Sequence, residues 1–274
     1  MPIVRDLMTR NAIVVQGDTP LGVAARLFLQ HDVRQVPVVD ADGVFHGVLQ
    51  DANMFRRGRL IGPDLDTWLS YVPSDGARVA SDLMMSADVV LNPDDDALRT
   101  LARLFEARVP VAVVVEEGVV LGVITEHDAL RMAVRWLPEA LSIDEQFSAP
   151  VATVSPLTTP EAAWDTMVAW GIRHLLIVDR ERKVKGVISN RDLAMNWGEE
   201  SVMDLCTSEL VQAAPTGSRF IDAARTMEKL HIGCLPIVDE DDRAVGILTR
   251  RDVVRALVLY LESEVDRINA DATP

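Results

Sequence analysis

The sequence predicts an α+β protein built from four βαββα repeats that are arranged as two pairs. Four apolar strands recur, and each is followed after a polar turn by a second strand that begins with glycine. A segment with apolar residues at helical intervals precedes each predicted hairpin. The apolar strands begin at Val36, Val109, Leu175 and Leu235, and the glycines are Gly47, Gly122, Gly186 and Gly246. An internal repeat of this kind sets the frame for every local motif.

The elements of one repeat follow a fixed order. A short strand comes first, predicted at residues 13–15, 89–91, 151–154 and 210–212. A helix follows, opened by capping residues or proline, as in Asp18-Thr19-Pro20 and Thr158-Thr159-Pro160. The hairpin is next, with 10 residues from the strand proline (Leu176 in the third repeat) to the glycine, but 12 in the second repeat. A second helix closes the repeat, and in the last one it is predicted over residues 251–269.

The size of a repeat requires that repeats pair. About 60 residues are too few to bury both faces of a small sheet. We predict repeats at residues 1–59, 81–137, 138–198 and 199–274, with a linker at 60–80 and modules at 1–137 and 138–274. The linker contains a helix-like stretch through Trp68 and Leu69, and we expect it to be a surface connector.

Charge and composition exclude several classes of partner. The formal net charge is -15, from 42 acidic and 27 basic residues. This charge repels nucleic acid and anionic membrane surfaces, so we expect neither as a partner. The longest apolar run, residues 109–115, is far too short to span a bilayer. Residues 1–10 lack the apolar stretch of a signal peptide, and the two cysteines lack metal-ligand spacing, so we expect a cytoplasmic location.

No arrangement of residues points to catalysis or to a metal. The five histidines lie in separate elements, and no Ser-His-Asp order, Walker loop or dinucleotide fingerprint is present. The acidic runs at residues 94–96 and 239–242 fit turns or helix starts, where acids are favoured. We therefore predict no catalytic residue, no metal site, no catalytic cofactor and no enzymatic activity.

Three repeats end their hairpin in the pattern Ser/Thr-x-x-Asp, which we call the corner. A carboxylate can accept hydrogen bonds from both hydroxyls of a ribose, and the hydroxyl lies at a helix start, where N–H groups favour phosphate. Arginine or histidine in the same turns suits phosphate as well. The candidate nucleotide-binding residues at the corners are Thr125, His127, Asp128, Ser189, Arg191, Asp192, Thr249, Arg250, Arg251 and Asp252.

The same pattern also fits a capping box, in which the hydroxyl and the acid only close the helix N-terminus. Repeats with one ancestor would inherit capping together with any binding, so recurrence does not separate the two interpretations. The first repeat departs from the pattern, since Gln50-Asp51-Ala52-Asn53 lacks both the hydroxyl and the final carboxylate. We expect its cleft to be empty or specialised, and the two corners of the second pair to be the stronger candidates.

Together these features resemble the CBS (cystathionine β-synthase) domain family. The resemblance rests on the Asp6-Leu7-Met8-Thr9 and Asp82-Leu83-Met84 leaders, the Pro-Val-Val-Asp strands and the glycine-led endings. It implies that two repeats form a Bateman module with pseudo-two-fold symmetry and two clefts, and that AMP, ADP, ATP or S-adenosylmethionine binds there. It also implies phosphate contacts just before the first hairpin strand, at Arg34, Arg108, Arg173 and His174, with Arg173 and His174 the best of these. The adenine is expected near residues 151–154 and 210–212.

The resemblance implies a sensor or regulatory protein in which an adenosyl ligand changes module geometry and so controls a partner protein of unknown identity. The rival interpretation is a structural or assembly module whose clefts stay empty. A third is an enzyme with an unrecognised site between the modules. Four repeats can close a disc within one chain or by forming a homodimer, and the sequence leaves both open.

Overall fold

The computed structural model describes residues 3–31, 33–51, 53–54, 58–61, 70–73, 76–107, 111–195, 199–206 and 212–271. The chain forms two compact units, Met1–Ala129 and Leu130–Pro274. Among the described residues, no helix combines the length and the hydrophobicity that crossing a membrane requires.

Helices and strands alternate along the described chain as the repeats predict. The helices are α1 (Val4–Leu7), α2 (Leu21–Gln30), α3 (Ala80–Leu83), α4 (Ala97–Ala107), α5 (Glu126–Trp136), α6 (Pro160–Trp170), α7 (Asn190–Met195), α8 (Phe220–Lys229) and α9 (Arg250–Asp271). The strands are β1 (Thr9–Arg10), β2 (Val15–Gln16), β3 (Gln35–Val39), β4 (Phe45–Gln50), β5 (Gly58–Ile61), β6 (Ser70–Pro73), β7 (Val90–Leu91), β8 (Val111–Glu116), β9 (Val119–Thr125), β10 (Thr153–Val154), β11 (His174–Val178), β12 (Val184–Ser189), β13 (Ala214–Pro215), β14 (Cys234–Val238) and β15 (Ala244–Thr249).

All four repeats share one sheet topology, which confirms the predicted fold class. In the first repeat β2 pairs in parallel with β3, and β3 pairs with β4 as an antiparallel hairpin. The third and fourth repeats have the same order, β10-β11-β12 and β13-β14-β15. The second repeat gains a fourth strand, because β1 from the start of the chain pairs with β9 in the order β1-β9-β8-β7.

The register of the second hairpin differs from the register that the position of Pro110 predicts. In the other repeats the glycine lies opposite the residue after the strand proline or its equivalent, as Gly47 lies opposite Val38. In the second repeat Gly122 lies opposite Val114, so Val113 and not Pro110 is the equivalent of Pro37. The cause is a tight two-residue turn at Glu117 and Gly118, which both have positive φ (51° and 87°).

Two other local predictions were wrong or lie outside the described residues. The first strand of the fourth repeat is Ala214–Pro215, whereas the apolar residues 210–212 predicted it earlier; residues 207–211 are not among those described. In the predicted linker, β5 and β6 form an antiparallel pair that the sequence analysis missed. The helix-like stretch through Trp68 and Leu69 lies outside the described residues.

The segment before the first strand of each βαββα unit, which we call the leader of that repeat, packs against the other repeat of the same pair. The leaders are residues 3–9, 79–85, 142–148 and 201–206. Each contains a fully buried residue whose N–H donates to the carbonyl oxygen two residues before the first helix of the paired repeat. The pairs are Val4 to Asp95 (2.9 Å), Ala80 to Thr19 (2.9 Å), Ile143 to Ser218 (3.1 Å) and Val202 to Thr158 (2.8 Å). The paired repeats therefore share their cores through exchanged leaders.

The leaders also explain why each second hairpin strand begins with glycine. A Cβ built on Gly122 would overlap the carbonyl oxygen of Thr9, and one built on Gly246 would overlap the ring of Phe147. Gly47 and Gly186 face Met85 and Cys206 of the exchanged leaders in the same way. Each glycine is thus required by the close approach of another chain segment rather than by its own backbone angles.

Candidate functional site

The hydroxyl and the carboxylate of each full corner are hydrogen-bonded to each other. Oδ2 of Asp128 accepts from the N–H and the hydroxyl of Thr125, both at 2.8 Å, and the N–H of Asp128 donates back to Thr125 Oγ1 at 3.3 Å. The N–H of His127 donates to the same hydroxyl at 3.2 Å. This geometry is a capping box that closes the N-terminus of α5.

The two corners of the second pair repeat this arrangement. Oδ2 of Asp192 accepts from the N–H (2.8 Å) and the hydroxyl (2.7 Å) of Ser189. Oδ2 of Asp252 accepts from the N–H (2.8 Å) and the hydroxyl (2.6 Å) of Thr249. The Ser/Thr-x-x-Asp pattern thus has a structural role at all three corners, as the capping interpretation predicts, and any binding role is additional to it.

The carboxylates at two corners are also bound by a hydroxyl from the exchanged leader. Thr9 Oγ1 donates to Asp128 Oδ1 at 3.0 Å, and Ser148 Oγ donates to Asp252 Oδ1 at 2.9 Å. Both aspartates are deeply buried, with 2% and 6% of their surface exposed, whereas Asp192 is only half-buried. Both oxygens of Asp128 and Asp252 are therefore engaged within the protein.

The corner of the third repeat contains two further buried polar residues, Asn190 and Arg191. Each is 9% exposed. The N–H of Asn190 donates to the carbonyl oxygen of Arg173 at 2.9 Å, which ties the corner to the start of β11. Within the part of the chain that the structure describes, the buried side-chain oxygen of Asn190 has no hydrogen-bond partner. Buried acceptors are nearly always satisfied, so this oxygen is a candidate acceptor for a donor of a bound molecule.

The residues before the first hairpin strand bring the two corners of the second pair together. A Cβ built on Gly233 would lie 3.1 Å from Nε2 of His174, so the missing side chain leaves room for the imidazole. The carbonyl oxygen of Gly233 accepts from the N–H of Arg250 at 3.2 Å, and the Arg250 guanidinium donates to the carbonyl oxygen of His231 at 3.0 Å. His174 of the third repeat is therefore adjacent to the fourth corner.

The first corner is held by an internal ion pair. Arg34 Nη1 lies 3.9 Å from Oδ2 of Asp51, with side chains 17% and 6% exposed, and the N–H of Asp51 donates to the Arg34 carbonyl oxygen at 3.0 Å. Asn53 occupies the position of the corner aspartate and donates to the carbonyl oxygen of Leu83 at 3.2 Å. An acid at position 51 neutralises the arginine, whereas the equivalent residue of the third repeat is the neutral Asn190.

Three of the remaining sequence-predicted residues lie at the corners of the second pair. Arg173 and His174 are half-buried beside the third corner, and Arg251 is half-buried in the first turn of α9. Arg108 lies outside the described residues, and the register of β8 makes residue 110, not Arg108, the equivalent of Arg34. Among the described residues, no group of three or more His, Cys, Asp or Glu side chains is placed to hold a metal ion.

Sequence reasoning missed four residues of these corners. Asn190 and Asp51 were read only as neighbours of the motif, Thr9 only as part of a leader, and Ser148 was not considered. A usable signal existed for the last two, because each hydroxyl stands five positions after the buried leader residue, Val4 or Ile143. What the sequence could not reveal is that the leaders are exchanged between repeats.

The exchanged leaders, the βαββα sheets and the capped corners define a protein built from paired α+β repeats. A model of the CBS domain matches residues 4–57, 80–135, 145–197 and 202–259, and the chain belongs to this family. The family resemblance that the motifs predicted is thereby confirmed.

Similarity to individual proteins extends over different parts of the chain. The inosine-5'-monophosphate dehydrogenase of Aquifex aeolicus is 29% identical over 153 residues, which are 55% of this chain and 31% of that enzyme. Protein MJ1225 of Methanocaldococcus jannaschii is 27% identical over 177 residues, 59% of this chain and 62% of the relative. The chain thus spans less than two thirds of the length of these curated relatives.

A solved structure matches the fold of nearly the whole chain, and a second one is similar to part of it. The crystal structure of MJ1225 superposes with a TM-score of 0.76 at 21% identity, covering 93% of this chain and 99% of that one. CBSX2 of Arabidopsis thaliana, solved in complex with AMP, matches 44% of this chain and 98% of its own at 27% identity, with a TM-score of 0.41.

Proposed function

We propose that this chain is a regulatory CBS protein that binds an adenine nucleotide or another adenosyl ligand in the second pair of repeats, with the main site at the third corner. AMP, ADP, ATP and S-adenosylmethionine share the adenine and the ribose that this corner would bind. The ligand changes the geometry of the pair and so controls a partner protein. No catalytic step belongs to this proposal.

The observation that carries the proposal is the buried, unsatisfied side-chain oxygen of Asn190. Leaving such an acceptor without a donor costs about 1–3 kcal/mol, and a bound ligand with an N–H or O–H donor removes this cost. Helix capping does not need Asn190, because Ser189 and Asp192 close the box without its side chain. The neighbouring Arg191 supplies a cation at the helix start for a phosphate or carboxylate.

The choice of the third corner over the first follows from charge. In the first corner Asp51 neutralises Arg34 within a buried pair, which leaves that cleft unsuited to an anionic ligand. In the third corner the equivalent position is a neutral amide. Arg173, Arg191 and the nearby Arg250 therefore give the second pair the more positive corners in an otherwise acidic chain.

Binding is tested by thermal unfolding with and without AMP, ADP, ATP and S-adenosylmethionine. A ligand at 100 times its dissociation constant adds about 2.7 kcal/mol of stability. Asn190→Ala leaves the capping box in place and should weaken binding about tenfold, the equivalent of one hydrogen bond. Asn53→Ala, at the corner of the first repeat, is the matched control and should leave binding unchanged. Unfolding without ligand checks that both variants fold.

The structural-module alternative makes the opposite prediction. It is favoured by the capping boxes, which account for the recurring motif without any ligand. If none of the four compounds stabilises the wild-type protein at millimolar concentration, the clefts have no adenosyl ligand and the proposal is wrong. Binding that persists in Asn190→Ala would place the ligand elsewhere than the third corner.

A further inference from the structure

The fourth corner contains a hydrogen bond that joins two distant parts of the second pair. Ser148, in the leader of the third repeat, donates from Oγ to Asp252 Oδ1 at 2.9 Å, across 104 positions of sequence. The other oxygen, Oδ2, accepts from the N–H and the hydroxyl of Thr249. Arg255 approaches Oδ1 at 3.9 Å. The carboxylate is 6% exposed, so the Ser148 hydroxyl covers the face that capping leaves open.

The end of the leader, at residues 146–148, is also bonded to β15 and α9. The N–H of Ser148 donates to the Ile247 carbonyl oxygen at 2.9 Å, and the N–H of Ile247 donates back at 3.1 Å. The Arg255 guanidinium donates to the carbonyl oxygen of Gln146 at 3.0 Å. Ile247 belongs to β15, which leads directly into the corner. Asp252 and the end of the leader are therefore connected through the end of β15.

The same contact occurs in the first pair, where Thr9 Oγ1 donates to Asp128 Oδ1 at 3.0 Å. Two leaders of different sequence, Met8-Thr9 and Phe147-Ser148, thus place a hydroxyl on the equivalent oxygen. An aliphatic hydroxyl on a carboxylate is also the contact that one ribose hydroxyl would make. A ribose bound at Asp252 Oδ1 would need the place of this hydroxyl.

We propose that Ser148 is a positioning residue that competes with the ribose at the fourth corner, so that an adenosyl ligand bound to Asp252 displaces the end of the leader, residues 146–148. This inference rests on the proposed adenosyl ligand, adds the fourth corner as a second site of the pair, and gives the step by which binding is transmitted. The ligand favours the state in which Ser148 has left Asp252, because only that state offers it Asp252 Oδ1. Residues 146–148 then change their contacts, while the buried Ile143 keeps the start of the leader in the core.

The competition is tested with Ser148→Ala, Ser148→Thr and the control Ser155→Ala. Ser155 is an exposed serine whose hydroxyl accepts a local bond from the N–H of Leu157 at 3.2 Å. Removing the competing hydroxyl should tighten binding of AMP or ATP, titrated separately by calorimetry, roughly fivefold, or about 1 kcal/mol. Ser148→Thr restores the hydroxyl and should restore wild-type affinity, and Ser155→Ala should match the wild type. Equal or weaker binding by Ser148→Ala overturns the competition.

Amide hydrogen exchange gives a second readout that needs no ligand. In the unliganded protein Ser148→Ala should speed exchange at the amides of residues 148 and 247, and Ser148→Thr should return it to the wild-type rate. In the wild type, saturating AMP or ATP should speed exchange at the same amides. Unchanged exchange in Ser148→Ala overturns the inference by itself. If none of AMP, ADP, ATP and S-adenosylmethionine binds any variant, the proposed function fails along with the coupling, and the exchange data still report whether the hydroxyl holds the leader.

Discussion

Gly47 lies so close to Met85 that a Cβ built on the glycine would be 2.6 Å from the Met85 carbonyl oxygen. The neighbouring Val48 and Met85 exchange two backbone hydrogen bonds, at 2.8 and 2.9 Å. The glycine therefore permits a strand-like contact between the first hairpin and the leader of the second repeat. The obstacle is backbone rather than a movable side chain, so the leader cannot yield without losing these bonds.

We predict that Gly47→Ala destabilises the first pair by about 1–3 kcal/mol, the usual cost of overpacking. The measurement is the free energy of unfolding in urea. The matched control is Gly17→Ala, since a Cβ there would meet only Ser81 Cβ at an ordinary 3.6 Å. Equal effects of the two substitutions would mean that the leader does not constrain Gly47.

The buried leader residue Ile143 tests the same exchange in the second pair. Its side chain is 0% exposed, and its N–H donates to Ser218 of the fourth repeat. We expect Ile143→Ala to lower the free energy of unfolding by about 2–5 kcal/mol, as for other large-to-small core substitutions. Four of the five tryptophans, Trp136, Trp164, Trp170 and Trp197, belong to the unit Leu130–Pro274, so tryptophan fluorescence reports mainly on this unit.

Glu145→Ala provides the control for that experiment, because Glu145 lies in the same leader but is exposed. It should change stability by less than about 0.5 kcal/mol. A small effect of Ile143→Ala would show that the leader is not part of the core of the second pair.

Sequence patterns predicted the repeats well because each element depends on local periodicity. The hairpins with Val38 opposite Gly47 and Ile237 opposite Gly246 follow directly from the alternation of apolar and turn residues. The register of the second hairpin did not follow, because the apolar run through Val113 fits several alignments, and the turn at Glu117 and Gly118 selects one.

The candidate site was less predictable for a different reason. Ser189 and Asp192 lie three positions apart, so their contact can be derived from helix geometry. The contacts of Thr9 with Asp128 and of Ser148 with Asp252 cross more than 100 positions and depend on the exchange of leaders. A pattern of neighbouring residues contains no information about such a contact until the fold is known.

Asp82 predicts how the stability of the first pair depends on pH. The N–H groups of Arg78 (2.7 Å) and Val79 (3.0 Å) donate to its carboxylate and hold the pKa of Asp82 below its ordinary value of 3.8. Because the pKa of Asp82 is lower in the folded state than in the unfolded state, the ionised carboxylate stabilises the fold at pH values above the unfolded-state pKa. This stabilisation is lost as the pH falls below about 3.8 toward the folded pKa.

We therefore expect Asp82→Asn to lower the melting temperature at neutral pH, with a difference from the wild type that shrinks below about pH 4. Thermal unfolding followed between pH 7 and about pH 3 measures this difference. Ser81→Ala, an exposed neighbour without a titrating side chain, should give a difference that does not vary with pH. A difference between Asp82→Asn and the wild type that grows on acidification would contradict the assignment.

The ion pair of Arg34 with Asp51 predicts that burial, rather than distance, decides how strongly two charges are coupled. Arg34 Nη1 and Asp51 Oδ2 are 3.9 Å apart with side chains 17% and 6% exposed, whereas Arg243 and Asp241 are 2.7 Å apart with side chains 52% and 66% exposed.

Removing one partner of a buried pair leaves an uncompensated charge, so Asp51→Asn should cost about 3 kcal/mol. Arg34→Met combined with Asp51→Asn should cost less than the sum of the two single substitutions, by about 0.5–3 kcal/mol. The parallel cycle with Arg243→Met and Asp241→Asn should show weaker coupling despite the shorter distance, because water screens exposed charges. The free energies of unfolding are measured in urea. Equal coupling energies in the two cycles would show that the Arg34–Asp51 ion pair does not hold the first corner.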